Sequence, residues 1–206
     1  MGGDCFGLNA VIRVVTRSAI ITHEAESIVI EQGFEGLIFD RNRKLTVAGI
    51  KNILPLGGTI LGTTNKGDPF EYRQFDKDGQ LTTQDYSQKT IDNFKRLDLD
   101  CLFVVGGDGT LQIGYKLFER GLPMIGISKT IDNDLLGTDC TFGFQTSVQV
   151  ACDALDRLQT TGESHHRVMV LEVMGRGSGW IALEAGISGG AHVILISEIS
   201  KPLSGQ

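Results

Sequence analysis

Two carboxylates stand two residues apart in Ser128-Lys129-Thr130-Ile131-Asp132-Asn133-Asp134, and a third sits inside a glycine turn, Gly106-Gly107-Asp108-Gly109-Thr110. Paired carboxylates on a loop can divide labour: one accepts a proton from a hydroxyl while its neighbour orients groups or helps hold a metal. Lys129 beside them favours their charged forms and can attract a phosphate oxygen. The same residues also suit a solvated turn, because Asp and Asn bond their own backbone there. From these residues alone the two readings stand even. The glycine turn is more telling. Its glycines let successive N–H groups approach phosphate oxygens closely. Asp108 repels such an anion and is suited instead to hold Mg²⁺ against it.

Val173-Met174-Gly175-Arg176-Gly177-Ser178-Gly179 repeats the strand-then-glycine pattern with an arginine set into it. Arginine offers a planar, permanently charged fork for a phosphate ester. Arg167 precedes the same predicted strand, at the opposite edge, so it serves that site only from a neighbouring subunit; otherwise it is a surface arginine. Gly57-Gly58-Thr59-Ile60-Leu61-Gly62-Thr63-Thr64 is a weaker glycine and hydroxyl segment. His165 and His166 have no partners at metal-ligand spacing and read as structural or exposed.

These residues must be carried by an alternation of strands and helices. Leu8–Ile21 has apolar residues at helical spacing, and Ser27–Glu31 is a short β-branched strand. Asp85–Leu97 predicts an amphipathic helix. Cys101–Val105 predicts a strand buried on both faces, followed by a helix over Leu111–Arg120. Pro123–Ile127 predicts another buried strand. Phe144, Val148, Ala151, Leu155 and Leu158 form one helix face. Val168–Val173 and His192–Ile196 predict strands, with Trp180–Ile187 helical between them. Pro69–Gln84, containing Asp78-Gly79, reads as a surface excursion. The fold class expected is α/β, a doubly wound, mostly parallel sheet covered by helices. Ligands in such folds bind at the carboxyl ends of strands, where the Gly, Asp and Arg motifs fall.

The 206 residues carry a net charge of −6 with no basic run, which argues against a nucleic-acid partner. Apolar residues make up 41% of the chain, enough for a sizeable core, and no stretch reads as a membrane span or a signal peptide. The scattered Cys5, Cys101, Cys140 and Cys152 read as small core residues of a reducing, cytoplasmic protein. Gly is frequent at 27 residues against 4 Pro, which suits close backbone approach to ligands.

Together the motifs resemble the 6-phosphofructokinase family over essentially the whole chain. They are Gly2-Gly3-Asp4 with Gly7-Leu8-Asn9-Ala10, Gly57 to Thr63, Gly106 to Thr110, Lys129 to Asp134, Gly143-Phe144-Gln145-Thr146 and Met174-Gly175-Arg176, in that order. The resemblance implies phosphoryl transfer from ATP to the 1-hydroxyl of fructose 6-phosphate, a step of glycolysis, with Mg²⁺. It implies that Asp132 is the proton acceptor, with Thr130 and Asp134 assisting. Asp108 would be the Mg²⁺ ligand, and Gly2, Gly106, Gly107, Asp108, Gly109 and Thr110 would line the nucleotide phosphates. Thr130, Ile131, Asp132, Met174, Gly175 and Arg176 would contact the sugar phosphate, with Arg167 reaching it from a neighbouring subunit. A homotetramer or homodimer is therefore expected of the full-length form.

Two positions bear on the phosphoryl donor. Glycine at 109 matches ATP users of the family, whereas aspartate there matches pyrophosphate users. Lys129 stands where pyrophosphate enzymes carry lysine. The mixture resembles the ATP-dependent branch related to the pyrophosphate group, with pyrophosphate as the alternative donor. Asn65-Lys66 replaces an arginine that many ATP enzymes place against the nucleotide.

Against the family pattern the chain is expected to lack the first strand and the C-terminal part. Residues 1–140 would form the nucleotide-binding domain and 141–206 the start of the sugar-phosphate domain. A non-catalytic chain that binds nucleotide or assembles with full-length subunits is the reading from a different class.

Overall fold

A computed structural model of the chain describes residues 5–64 and 66–199. Gly2, Gly3, Asp4 and Asn65 therefore lie outside the described residues. The chain divides into two compact units, Met1–Lys129 and Thr130–Gln206.

In the first unit, helix α1 (Leu8–Thr22) starts at Gly7, whose φ of 87° is a conformation that glycine adopts without strain. Its apolar face buries Leu8, Val11 and Ile12. Strand β1 (Ser27–Ile30) pairs antiparallel with β2 (Asn42–Leu45), and the short helix α2 (Phe34–Ile38) lies between them in sequence. The expected surface excursion is an antiparallel hairpin, β3 (Tyr72–Phe75) with β4 (Leu81–Gln84), Tyr72 opposite Gln84. Its turn is closed by Asp76, whose carboxylate accepts the N–H groups of Asp78 at 2.9 Å and Gln80 at 2.8 Å. Helix α3 (Ser87–Arg96) follows. Strand β5 (Leu102–Gly106) then pairs in parallel with β6 (Met124–Thr130), joined through helix α4 (Asp108–Glu119). This βαβ unit is the parallel sheet of the α/β fold. Ile91, Phe94, Leu117 and Leu122 form the core between α3 and α4. Leu8 and Val11 pack with Val105.

The second unit begins at the last residue of β6. A two-residue strand β7 (Phe142–Gly143) leads into the long helix α5 (Phe144–His165), and helix α6 (Trp180–Ser188) packs against it. Phe144, Val148 and Ala151 of the expected face meet Ile181 and Ala185.

The parallel β5–β6 pair is that of the α/β fold class expected, while β1–β2 and β3–β4 pair antiparallel. Other expectations need correction. Strand β5 is not buried on both faces, because Phe103 is 43% exposed. It borders a cavity of about 570 Å³ lined by α1, β1 and Cys101–Val105. The β6 strand likewise exposes Ile125. Val168–Val173 and His192–Ile196 form no strand, and Val168 and Val170 are almost wholly exposed. Apolar runs specify a buried face but not a partner edge, and a strand needs both. Cys140 is exposed, unlike the buried Cys5. The sequence placed the start of α4 at Leu111, its first large apolar residue. The helix instead begins at Asp108, where a carboxylate suits the positive end of the helix dipole.

Candidate active site

The glycine turn is built by its backbone. Gly106 ends β5, Gly107 is the extended N-cap of α4, and Asp108, Gly109 and Thr110 form the first helical turn. A Cβ on Gly106 would lie 2.4 Å from Cβ of Thr110, so only glycine lets the strand pass that close to the helix. Asp108 is exposed, and its Oδ2 accepts a hydrogen bond from Gln112 Nε2 at 2.8 Å, one turn along. A Cβ built on Gly109 meets nothing within 4 Å. The turn thus presents exposed amides and one carboxylate at the start of a helix of 12 residues, a chemistry suited to phosphate with a bound cation.

The donor set distinguishes between metals. Among the described residues no three His, Cys, Asp or Glu side chains gather into a metal-holding group. One carboxylate completed by phosphate oxygens and water is the arrangement of Mg²⁺, and Asp108 fits that role.

In the same unit the sequence motif around Asn9 acquires a function that spacing alone did not reveal. Asn9 is 2% exposed. Its Nδ2 donates to the carbonyl of Leu56 at 3.0 Å, and its Oδ1 accepts the Ile60 N–H at 2.9 Å. It therefore fixes the Gly57–Thr59 glycine segment from beneath. An amide inside an apolar helix start was the available signal, since a buried polar side chain must find partners.

The carboxylate loop is built differently. Thr130 Oγ1 accepts the N–H of Asp132 at 3.2 Å, turning the chain just after β6. Asn133 takes a left-handed φ of 51°. Its Oδ1 accepts the Thr141 N–H at 2.9 Å, and Thr141 Oγ1 donates to the carbonyl of Thr130 at 2.7 Å. Thr141 is 2% exposed, so this brace is buried. Ile131 points into the α5–α6 core, while Asp132 is half-buried and Asp134 exposed. Lys129 is 5% exposed at the end of β6.

The arginine segment reaches the same loop. Gly175 (φ 151°) and Arg176 (φ 55°) make a tight turn in which the Ser178 N–H donates to the Gly175 carbonyl at 2.9 Å. Ser178 Oγ then donates to the main-chain carbonyl of Asp132 at 2.8 Å. Two motifs far apart in sequence are thereby joined. Arg176 and Met174 are exposed. Just beyond, the Glu198 carboxylate accepts the Gly179 N–H at 2.8 Å at the start of α6, and that bond holds its carboxyl below the usual range. Arg167 is exposed and follows the left-handed His166 at the end of α5, its N–H bonded to the Gly162 carbonyl at 2.9 Å. It stands at one end of the irregular segment 168–173 and Arg176 follows the other, so the structure does not bring the two arginines together along that segment. His165 closes α5 and, with His166, is exposed.

Among known proteins, the phosphofructokinase family model matches residues 1–205. The chain is 52% identical over 198 residues to ATP-dependent 6-phosphofructokinase 2 of Clostridium perfringens, covering 96% of this chain and 54% of that protein. It is 54% identical over 199 residues to the ATP-dependent 6-phosphofructokinase of Chloroflexus aggregans, again covering 96% of this chain and 54% of that protein. The chain therefore spans about half the length of the curated relatives it matches. Its structure is similar to that of phosphofructokinase from Saccharomyces cerevisiae, with a TM-score of 0.75, 30% identity and coverage of 92% of this chain and 27% of that one. The pyrophosphate-dependent enzyme of Marinobacter aquaeolei shares the fold, with a TM-score of 0.77, 22% identity and coverage of 98% of this chain and 52% of that one. Matched from end to end by the family model and at about half identity to its relatives, the chain belongs to the phosphofructokinase family.

Proposed function

We propose that this chain supplies the nucleotide-phosphate loop and the proton-accepting loop of an ATP-dependent 6-phosphofructokinase. The observation that carries the reading is the joining of Thr130–Asp134 to Met174–Ser178 through Ser178 and Asp132. That bond sets a candidate base beside the segment expected to meet the sugar phosphate. The relatives at 52% and 54% identity carry the name of that activity.

In the reaction the 1-hydroxyl oxygen of fructose 6-phosphate bonds to the γ-phosphorus of ATP as the bond to ADP breaks. The hydroxyl proton passes to the Asp132 carboxylate. Thr130 and Asp134 orient the acceptor, and Ile131, Met174, Gly175 and Arg176 contact the sugar phosphate. Gly106, Gly107, Gly109 and Thr110 offer N–H groups to the nucleotide phosphates. Asp108 would hold Mg²⁺, which when bound would supply neutralisation of phosphate charge. Arg167 serves the 6-phosphate of a neighbouring subunit, which makes the working protein a homodimer or homotetramer. The location expected on this reading is the cytoplasm, in keeping with four cysteines scattered along the chain.

Gly109 supports ATP as the donor. A Cβ there meets nothing within 4 Å, so Gly109→Asp adds charge without a clash at Cβ. We expect Gly109→Asp to fold normally and to lose about 10²–10³-fold in kcat/KM for ATP, as one unscreened like charge beside a phosphate requires. Measuring kcat/KM for ATP and for pyrophosphate in parent and variant tests this. A second reading, pyrophosphate as donor, draws on the buried Lys129. It predicts a parent that already prefers pyrophosphate and a variant little improved with it.

A further inference from the structure

We infer that Ser178 is a positioning residue for Asp132, fixing the direction of its carboxylate through the main chain; this rests on the reading of Asp132 as the proton acceptor. The main chain of Asp132 is clamped at both of its polar groups. Its N–H donates to Thr130 Oγ1 at 3.2 Å and its carbonyl accepts from Ser178 Oγ at 2.8 Å. With both peptide units tied and Asn133 held left-handed by its bond to Thr141, the backbone at 132 has little freedom to rotate. The Cα–Cβ bond of Asp132, and with it the arc available to the carboxylate, is set by those clamps. A catalytic group held within a few tenths of an ångström depends on such support from residues that never touch substrate.

Ser178 is itself held from two sides. Its N–H closes the turn onto the Gly175 carbonyl, and a Cβ on Gly175 would lie 2.3 Å from the Ser178 carbonyl oxygen, so the turn admits only glycine there. The next residue, Gly179, gives its N–H to Glu198. The hydroxyl therefore projects from a fixed point at the start of α6. Of the groups on this turn, the Ser178 side chain makes the bond to the Asp132 carbonyl, and an alanine at 178 removes it while leaving the turn's own backbone bonds in place.

The test compares the parent with Ser178→Ala and Ser178→Thr. Amide hydrogen exchange on the 206-residue chain reads the loop directly, with or without turnover. We expect Ser178→Ala to speed exchange at Asp132, Asn133 and Thr141 about fivefold while α4 amides stay at parent rates, and Ser178→Thr to restore the parent pattern. In steady-state assays on the chain extended to its relatives' length, Ser178→Ala lowers kcat about tenfold with KM for both substrates within about twofold, and the threonine variant recovers it. Unchanged loop exchange in Ser178→Ala overturns the inference, as does acceleration spread equally over α5 and α6, or a threonine variant no better than alanine. Asp132→Ala is the separate control. Parent-like turnover in that variant removes the proton-acceptor reading, while the exchange result still decides whether Ser178 orders the loop.

Discussion

The glycine turn after β5 and the carboxylate loop after β6 each follow a strand of one parallel pair, yet they are held by opposite means. Gly106–Thr110 takes its shape from what is missing: a Cβ at 106 would lie 2.4 Å from Cβ of Thr110, and its absence lets the strand meet the helix. Thr130–Asp134 takes its shape from what is present, a set of hydroxyl and amide groups bonded to main-chain atoms. A loop fixed by close backbone approach fails when atoms are added. A loop fixed by side-chain bonds fails when they are removed.

That contrast predicts an order of effects. Gly106→Ala should be the most severe, because the clash is with the branched carbon of a helical residue and not with a movable side-chain end. We expect destabilisation of about 3 kcal/mol in denaturant unfolding, with loss of nucleotide binding. Thr141→Val preserves shape and removes the buried donor to Thr130. It should cost about 2 kcal/mol and speed amide exchange at Asn133 while α4 amides stay at parent rates. Loss of protection in α4 instead would erase the distinction between the loops.

A local cap outside both loops sets the lower end of the scale. The Asp85 carboxylate accepts the Ser87 N–H at 2.7 Å at the start of α3. Hydrogen bonds from the Ser87 side chain and then its backbone hold that carboxyl below its ordinary 3.8. With the folded value below the unfolded one, the stabilisation is complete above the unfolded value and is lost as pH falls through the folded one. Asp85→Ala should therefore cost less than about 1 kcal/mol at pH 7, with the difference from parent vanishing in acid below the carboxylate range. Unfolding curves across that range check it. Smallest of all, Gln112→Ala removes an exposed one-turn bond to Asp108 and should shift stability by no more than about 0.5 kcal/mol.

The same contrast explains what could be read from the sequence. Glycine crowding, a carboxylate and a preceding apolar run are local features, so the turn between β5 and α4 was legible, as were the α5 face and the hairpin turn at Asp78-Gly79. The brace on the second loop was not. Thr141 and Ser178 lie well along the chain from Asp132, and nothing in a threonine before Phe142 or a serine between glycines states which carbonyl it will meet. Asn9 lies in a recognisable motif, yet its partners at Leu56 and Ile60 are not legible there for the same reason. Val168–Val173 failed as a paired strand because its β-branched pattern declares a preference for extension, whereas pairing depends on an edge that sequence alone does not locate. Half of the chemistry was thus visible as residue types, and its geometry became visible only with long-range contacts.

The central claim, that Asp132 accepts the proton in transfer from ATP, has a direct measurement: formation of fructose 1,6-bisphosphate from ATP and fructose 6-phosphate. It is made on the chain extended to its relatives' length with the remaining residues of the Clostridium perfringens protein, beside the same protein carrying Asp132→Ala. The account predicts ATP-dependent product from the parent and a loss of about 10³-fold in kcat in the variant with KM for ATP nearly unchanged. No ATP-dependent product from the parent, or a variant that turns over as fast as the parent, would contradict it.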